Sequence, residues 1–368
     1  MNMHEIKIPR LLIKTILLLL IFNFAFPIFR FINWDNLSLY NRIFPGRARL
    51  PFGETPELAY NTTLNDLDAM LASHIVAGEM DEAIEIFVIG DSSVWGTLLK
   101  NEDTITHRLQ EKINSPDNFN NRKINIYNLG YPTTSVLKDL VILDKGMSYE
   151  PDVVIWFVTL NSLVKDAHLD APIVMNNPEV FNQVVFKYDL PMDELPETSY
   201  IQKTFLHQRR NVFDRIHLQL LGAMWTATGI DQYIPEEYTR AARDLEADDT
   251  YQNVPREGLT SDYLELFIIE NFIAQNPQVE VLVVNEPILI SDGDNSDIHY
   301  NFYYPRWAYD QYRAVLADRF SENGIKYIDL WDNIPEPLFT NSAIHYNNEG
   351  VAILVEELLP YIEKEVLD

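Results

Sequence analysis

A hydroxyl, an imidazole, a carboxamide and a glycine N–H spread along this chain make up the parts of an acyl-transfer site: Ser92, His345, Asn161 and Gly130. Serine oxygen is a poor nucleophile at neutral pH and needs a base to take its proton. Histidine, with an ordinary pKa of about 6.5, suits that exchange. The oxyanion that develops on an attacked carbonyl needs fixed donors, each able to supply roughly 3–4 kcal/mol. The N–H groups of Ser92 and Gly130 and the Asn161 side-chain amide are the candidates.

What must position these groups is read from the apolar runs before them. Short stretches rich in Val and Ile recur: IEIFVIG (Ile84–Gly90), KINIYNLG (Lys123–Gly130), DVVIWFVTLN (Asp152–Asn161), VEVLVVNEP (Val279–Pro287) and IKYIDLW (Ile325–Trp331). Near-continuous apolar runs of this length are strands covered on both faces. Helix-length segments separate several of them, at Thr104–Ile113, Ser135–Lys145, Ser261–Gln275 and Pro305–Asn323, the last closed by Gly324 in a C-cap position. Strand–helix alternation predicts a parallel, doubly wound α/β sheet of about five strands. Ligands of such sheets bind beyond the carboxyl ends of the strands. Gly90-Asp91-Ser92-Ser93, Asn128-Leu129-Gly130, Thr159-Leu160-Asn161 and Asn285-Glu286-Pro287 all fall there.

Taken in order, IFVIGDSS, NLGYPTTS, PDVVIWFVTLN and the late FTNSAIHYNNEG resemble the four blocks of the SGNH, or GDSL, hydrolase superfamily. The resemblance spans Ile84 to the C-terminus. It implies a three-layer, flavodoxin-like fold, with Ser92 as nucleophile, His345 as base, and Ser92, Gly130 and Asn161 as the oxyanion hole. Gly350 and the helical run VAILVEELLPYI match the final block. Two positions depart from the pattern. Thr159 stands where the third block has glycine, and Ser342 where the fourth has the orienting aspartate. The partner of His345 is therefore Ser342, Asn341, or an acid from elsewhere such as Asp332 or Glu286. Without an acid, serine and histidine form a dyad, because the third member mainly orients and stabilises.

Other residues read more plainly. Asp91 turns the loop by bonding nearby N–H groups, and Ser93 packs or caps. Glu286 is a substrate contact, an acid partner or a loop element. His74, His107, His168, His207, His217 and His299 have no metal-like spacing, and no metal or cofactor is expected. The aromatic stretch HYNFYYPRWAYDQYR (His299–Arg313), with Tyr303 and Trp307, is core or a sugar platform. Gly-x-Gly-x-x-Gly, Gly-x4-Gly-Lys-[Ser/Thr] and Gly-x-Ser-x-Gly are absent, which argues against dinucleotide, nucleotide-triphosphate and nucleophile-elbow sites.

The whole chain has 368 residues, 47% hydrophobic, enough for a sizeable core. Its formal net charge of −27 repels nucleic acid, which is set aside as a partner. With no cysteine, disulfides, thiolate metal sites and thiol nucleophiles are excluded. LLIKTILLLLIFNFAFPIF (Leu11–Phe29) comes close to the ~20 apolar residues that cross a bilayer. Lys7, Arg10 and Lys14 precede or enter it, which favours a cytoplasmic N-terminus and a single-pass protein with its bulk outside the cytoplasmic membrane. The expected organisation is a tip and anchor over 1–30, a stalk or lead-in over 31–83, and an α/β domain over 84–368. A helical insertion over 162–278, including EEYTRAARDLEA, would lie over the sheet. The function expected is an acyl-ester hydrolase acting on an acylated small molecule or carbohydrate. An O-acyltransferase on envelope polysaccharide, or an impaired binding protein on the same fold, stand as alternatives.

Overall fold

The computed structural model describes residues 8–29, 38–52, 66–78, 83–115, 123–165, 171–228 and 234–367, apart from 253, 257 and 262. The tip 1–7 with Lys7, residue 30 of the anchor, residues 31–37, 53–65 and 79–82 of the lead-in, and His168 lie outside them.

Five strands form one sheet: β1 (Ile84–Ile89), β2 (Ile124–Asn128), β3 (Val153–Val158), β4 (Glu280–Asn285) and β5 (Lys326–Asp329). Their order is β2-β1-β3-β4-β5 and every pairing is parallel, the flavodoxin-like arrangement of doubly wound folds. Every residue of β3 is buried, as a central strand with helices on both faces requires. Alternate side chains go to opposite layers. Phe87, Ile89, Trp156 and Val283 face one core; Ile86, Val88, Ile155 and Val284 face the other. Each such aliphatic, fully buried, contributes roughly 1.5–3 kcal/mol.

Helices α1 (Ile8–Phe29) and α2 (Leu67–Ser73) precede the sheet. After β1 comes a single turn, α3 (Ser92–Trp95), and then α4 (Ile105–Ile113), N-capped by Thr104. After β2 comes α5 (Val136–Gly146), N-capped by Ser135, whose Oγ accepts from Lys138 N–H at 3.2 Å. After β3 come α6 (Leu160–Leu163), α7 (Pro172–Met175), α8 (Pro178–Lys187), α9 (Phe205–Thr228) and α10 (Phe267–Gln275). β4 leads to α11 (Arg306–Asn323), which stops at Gly324 with φ of 66°, and β5 leads to α12 (Asn348–Leu367). α5, α10 and α11 cover one face, and α4 and α12 the other. The chain steps from β1 to β2 in one direction and then to β3 in the other. The switch point thus lies between the carboxyl ends of β1 and β3.

One expectation narrows and another changes. Of the two readings of 31–83, the described parts are a lead-in that packs on the domain: Tyr40, Leu50, Leu67, Met70, Leu71 and Val76 are buried in the same core as Phe87 and Ile89. Its apolar residues find that core because they are too many to leave in water. The insertion is only partly helical. The described residues 236–247, written EEYTRAARDLEA, run as an irregular strap. Its backbone bonds outward, Ala241 N–H to Thr340 C=O (2.8 Å) and Leu245 N–H to Asp294 C=O (3.0 Å). Arg240 likewise donates to the Pro337 and Phe339 carbonyls (2.9 and 3.1 Å). Partners on neighbouring loops override helix propensity here.

Candidate active site

Ser92 begins α3 directly after β1. Asp91 caps that turn, its Oδ1 accepting from Ser93 N–H at 2.8 Å. The turn is tight because two loops meet there. A Cβ on Gly130 would sit 2.6 Å from Trp95 N, so only glycine allows the approach. Asn128 fastens the junction, donating to Val94 C=O (2.8 Å) and accepting from Gly130 N–H (3.0 Å). The Gly130 N–H is therefore turned to its own loop, in an Asx turn, and not to the site. This corrects its expected place in the oxyanion hole.

His345 lies in the loop between β5 and α12, and its Nε2 is 2.7 Å from Ser92 Oγ. Its Nδ1 is 2.8 Å from Asn341 Oδ1. Thr340 N–H and Oγ–H both donate to His345 C=O (2.7 and 3.1 Å), which folds Asn341 across the ring. Both ring nitrogens are thus taken. Ser342, Asp332 and Glu286 form no hydrogen bond with the imidazole, so of the partners considered Asn341 stands at Nδ1. An amide oxygen can only accept, so Nδ1 carries the proton and the Nε2 lone pair faces the serine. Burial pushes the His345 pKa down to about 4, because no carboxylate at the ring offsets the lost hydration.

Asn161 is the second residue of α6, at the end of β3. Tyr251 Oη donates to its Oδ1 at 2.7 Å and Gln252 Nε2 at 3.3 Å. With Oδ1 fixed as acceptor, the Nδ2 hydrogens take no partner among the described residues. Ser92 N–H is likewise without a partner among the described residues. Both donors lie just past the carboxyl ends of β1 and β3, the strands that flank the switch point. Tyr251 and Gln252 come from the insertion, and nothing in the sequence marks them as neighbours of Asn161.

Beneath the serine turn lies a buried polar cluster. Ser93 Oγ donates to Glu286 Oε2. Glu286 is 1% exposed, so it supports the loop and does not face a substrate. Burial, and then the charge of Asp91, holds its carboxyl protonated well above the ordinary range. Lys138, fully buried, donates to Gly90 C=O (2.8 Å) and Tyr131 C=O (2.6 Å) and pairs with Asp139 at 2.6 Å. The signal for this pair was a Lys-Asp step inside the otherwise apolar SVLKDLVIL, since such charges are buried only with partners. The His299–Arg313 stretch is mostly core: Tyr300, Tyr304, Tyr309 and Tyr312 are buried, and Phe302 and Tyr303 are exposed. Trp307 is half-buried and donates to Asp249 C=O (2.7 Å). Tyr304 Oη lies 3.1 Å from Thr159 Oγ1, under the Asn161 loop.

No protein-family model matches the chain, and no curated protein matches it. It is similar to a lipolytic protein of the G-D-S-L family from Veillonella parvula, at 12% identity over 76% of this chain and 97% of that one, TM-score 0.36. It is also similar to a carbohydrate acetylesterase family member from Sinorhizobium meliloti, at 12% identity over 77% and 98%, TM-score 0.34. A third is the aryl esterase of M. smegmatis, at 11% identity over 77% and 100%, TM-score 0.35.

Proposed function

We propose that this chain is a serine ester hydrolase of SGNH type. The reading rests on one observation: the 2.7 Å approach of His345 Nε2 to Ser92 Oγ, with the imidazole held in the right tautomer. Ser92 Oγ attacks the ester carbonyl carbon while its proton passes to Nε2. The oxyanion that forms is held by Ser92 N–H and Asn161 Nδ2. As the tetrahedral species collapses, the C–O bond to the alcohol breaks and Nε2–H returns the proton to the leaving oxygen. A water then gives a proton to Nε2 and attacks the acyl carbon; the bond from that carbon to Ser92 Oγ breaks, Nε2–H returns the proton to Oγ, and the acid leaves.

The neutral Asn341 distinguishes this site from a full triad. It fixes the ring but brings no negative charge to the imidazolium that forms in the transition state. A binding protein with an impaired site is the reading that this feature favours second. In the full scheme α1 anchors the chain, and Arg10 and Lys14 near its start keep that end on the cytoplasmic side. An acylated small molecule or carbohydrate is the substrate class, with a sugar hydroxyl replacing water if the protein transfers acyl groups.

A fluorophosphonate probe tests the mechanism on the full-length protein in detergent. Covalent labelling is expected, lost in Ser92→Ala. In His345→Ala both labelling and p-nitrophenyl acetate turnover should fall by about a thousandfold or more. No labelling of the intact protein would retire the hydrolase and leave the binding reading.

A further inference from the structure

The last turns of α1 hold the start of α9. Phe22 and Phe26 meet the Phe205 ring edge-on, with centroids 5.1 and 5.5 Å away. Asn23, the one buried residue of α1, accepts from Leu206 N–H at 2.8 Å. It thereby satisfies one of the orphan donors in the first turn of α9. Tyr200 Oη donates to Phe24 C=O just ahead of that turn. An amide in an apolar helix is costly unless bonded, and here its partner is α9.

Beyond that junction α9 carries an apolar face that is exposed among the described residues. Leu206, Phe213, Ile216, Leu220 and Met224 are all exposed. They recur at intervals of seven, three, four and four residues, which places them on one side of a helix. The opposite side is the one that packs: Leu218 is buried, and its carbonyl accepts from Tyr40 Oη. Arg209 and Arg210 lie exposed near the α1 junction, Arg209 donating to Leu206 C=O and Arg210 3.7 Å from Asp214 one turn on, on a chain whose net charge is −27. Apolar side chains on one face with basic residues at its edge are what a helix lying in the headgroup region presents. Long arginine stems let the charge reach phosphate while the stem stays in the apolar layer.

We propose that this face of α9 lies in the outer interface of the bilayer crossed by α1, as a second attachment of the domain to the membrane. The proposal rests on the reading of α1 as an anchor. A single spanning helix lets the domain swivel about its stem. A second contact beside it fixes which edge of the domain faces the lipid.

The chain has no cysteine, so single labels can be placed without removing native thiols. Full-length Leu18→Cys, Leu220→Cys, Met224→Cys and Asn211→Cys, each carrying a bimane, are reconstituted in phosphatidylglycerol–phosphatidylethanolamine vesicles. Each is exposed to brominated lipid and, separately, to aqueous iodide. Labels at 18, 220 and 224 are expected to lose fluorescence to brominated lipid, and the label at 211 to iodide alone. If 18 responds to lipid while 220 and 224 respond only to iodide, the α9 proposal fails and the anchor stands. If 220 and 224 respond to neither quencher, a protein covers the face, and the proposal fails. If 18 itself is untouched by lipid, the anchor reading fails and takes this proposal with it.

Discussion

At the scale of single residues, the feature that sets this site apart is an amide where a carboxylate would serve. Asn341 Oδ1 accepts from His345 Nδ1 and selects the tautomer, which is half of what an aspartate does. The other half, charge stabilisation of the imidazolium, is missing, and burial alone holds the His345 pKa at about 4. A general base works only when deprotonated. kcat/KM should therefore stay level from neutral pH down and fall as pH drops through about 4. Asn341→Asp places a negative charge at the same nitrogen and favours the protonated ring. The acid limb should move up by about 1–3 pH units. On the plateau above it, kcat should rise by up to about tenfold, since a stronger base is better matched to the serine proton. A pH–rate profile of both proteins checks this. An unmoved limb in the variant would mean that His345 is not the group titrating.

At the scale of elements, the strap within the insertion ties the site together. Its described residues bond to the loops around Thr340 and Asp294, and Tyr251 and Gln252 at its end hold Asn161. Tyr251→Phe removes the shorter of those two bonds and keeps the packing. The amide then rotates more freely, and kcat should fall by about tenfold, the worth of one hydrogen bond, with KM nearly unchanged. An unaltered melting temperature beside that loss would separate positioning from folding; an unaltered kcat would release Asn161 from its assigned role. The same elements show what the sequence could reveal. Strands β1 to β5 and helices α4, α5 and α11 were legible because buried runs, caps and the Gly324 stop are local signals. The pairing of Ser92 with His345 was read from the resemblance of four ordered blocks, and the 2.7 Å contact brings the two together. Tyr251 beside Asn161, Asn128 turning Gly130 N–H away, and Asn341 winning over Ser342 were not legible. Each depends on how one loop lies against another, which no spacing within a segment encodes.

At the scale of the molecule, charge and the proposed membrane contact pull against each other. A net charge of −27 gives the surface a negative potential that repels anionic headgroups as well as nucleic acid. The α9 arginines supply the opposite sign where the apolar face meets α1. Under the proposed function, the same field acts on an ester before it reaches Ser92. An ester carrying a carboxylate or sulfonate must approach through it, whereas a neutral ester of the same shape does not. Salt screens such interactions over about 10 Å at 0.1 M ionic strength. Raising ionic strength from about 0.01 to 0.3 M should therefore raise kcat/KM for the anionic ester by about two- to tenfold and leave the neutral one level. The ratio between paired substrates cancels any effect of salt on the fold. If the anionic ester slows with salt, a local cation at the cleft outweighs the global field, and the site is built to receive anions despite the surface around it.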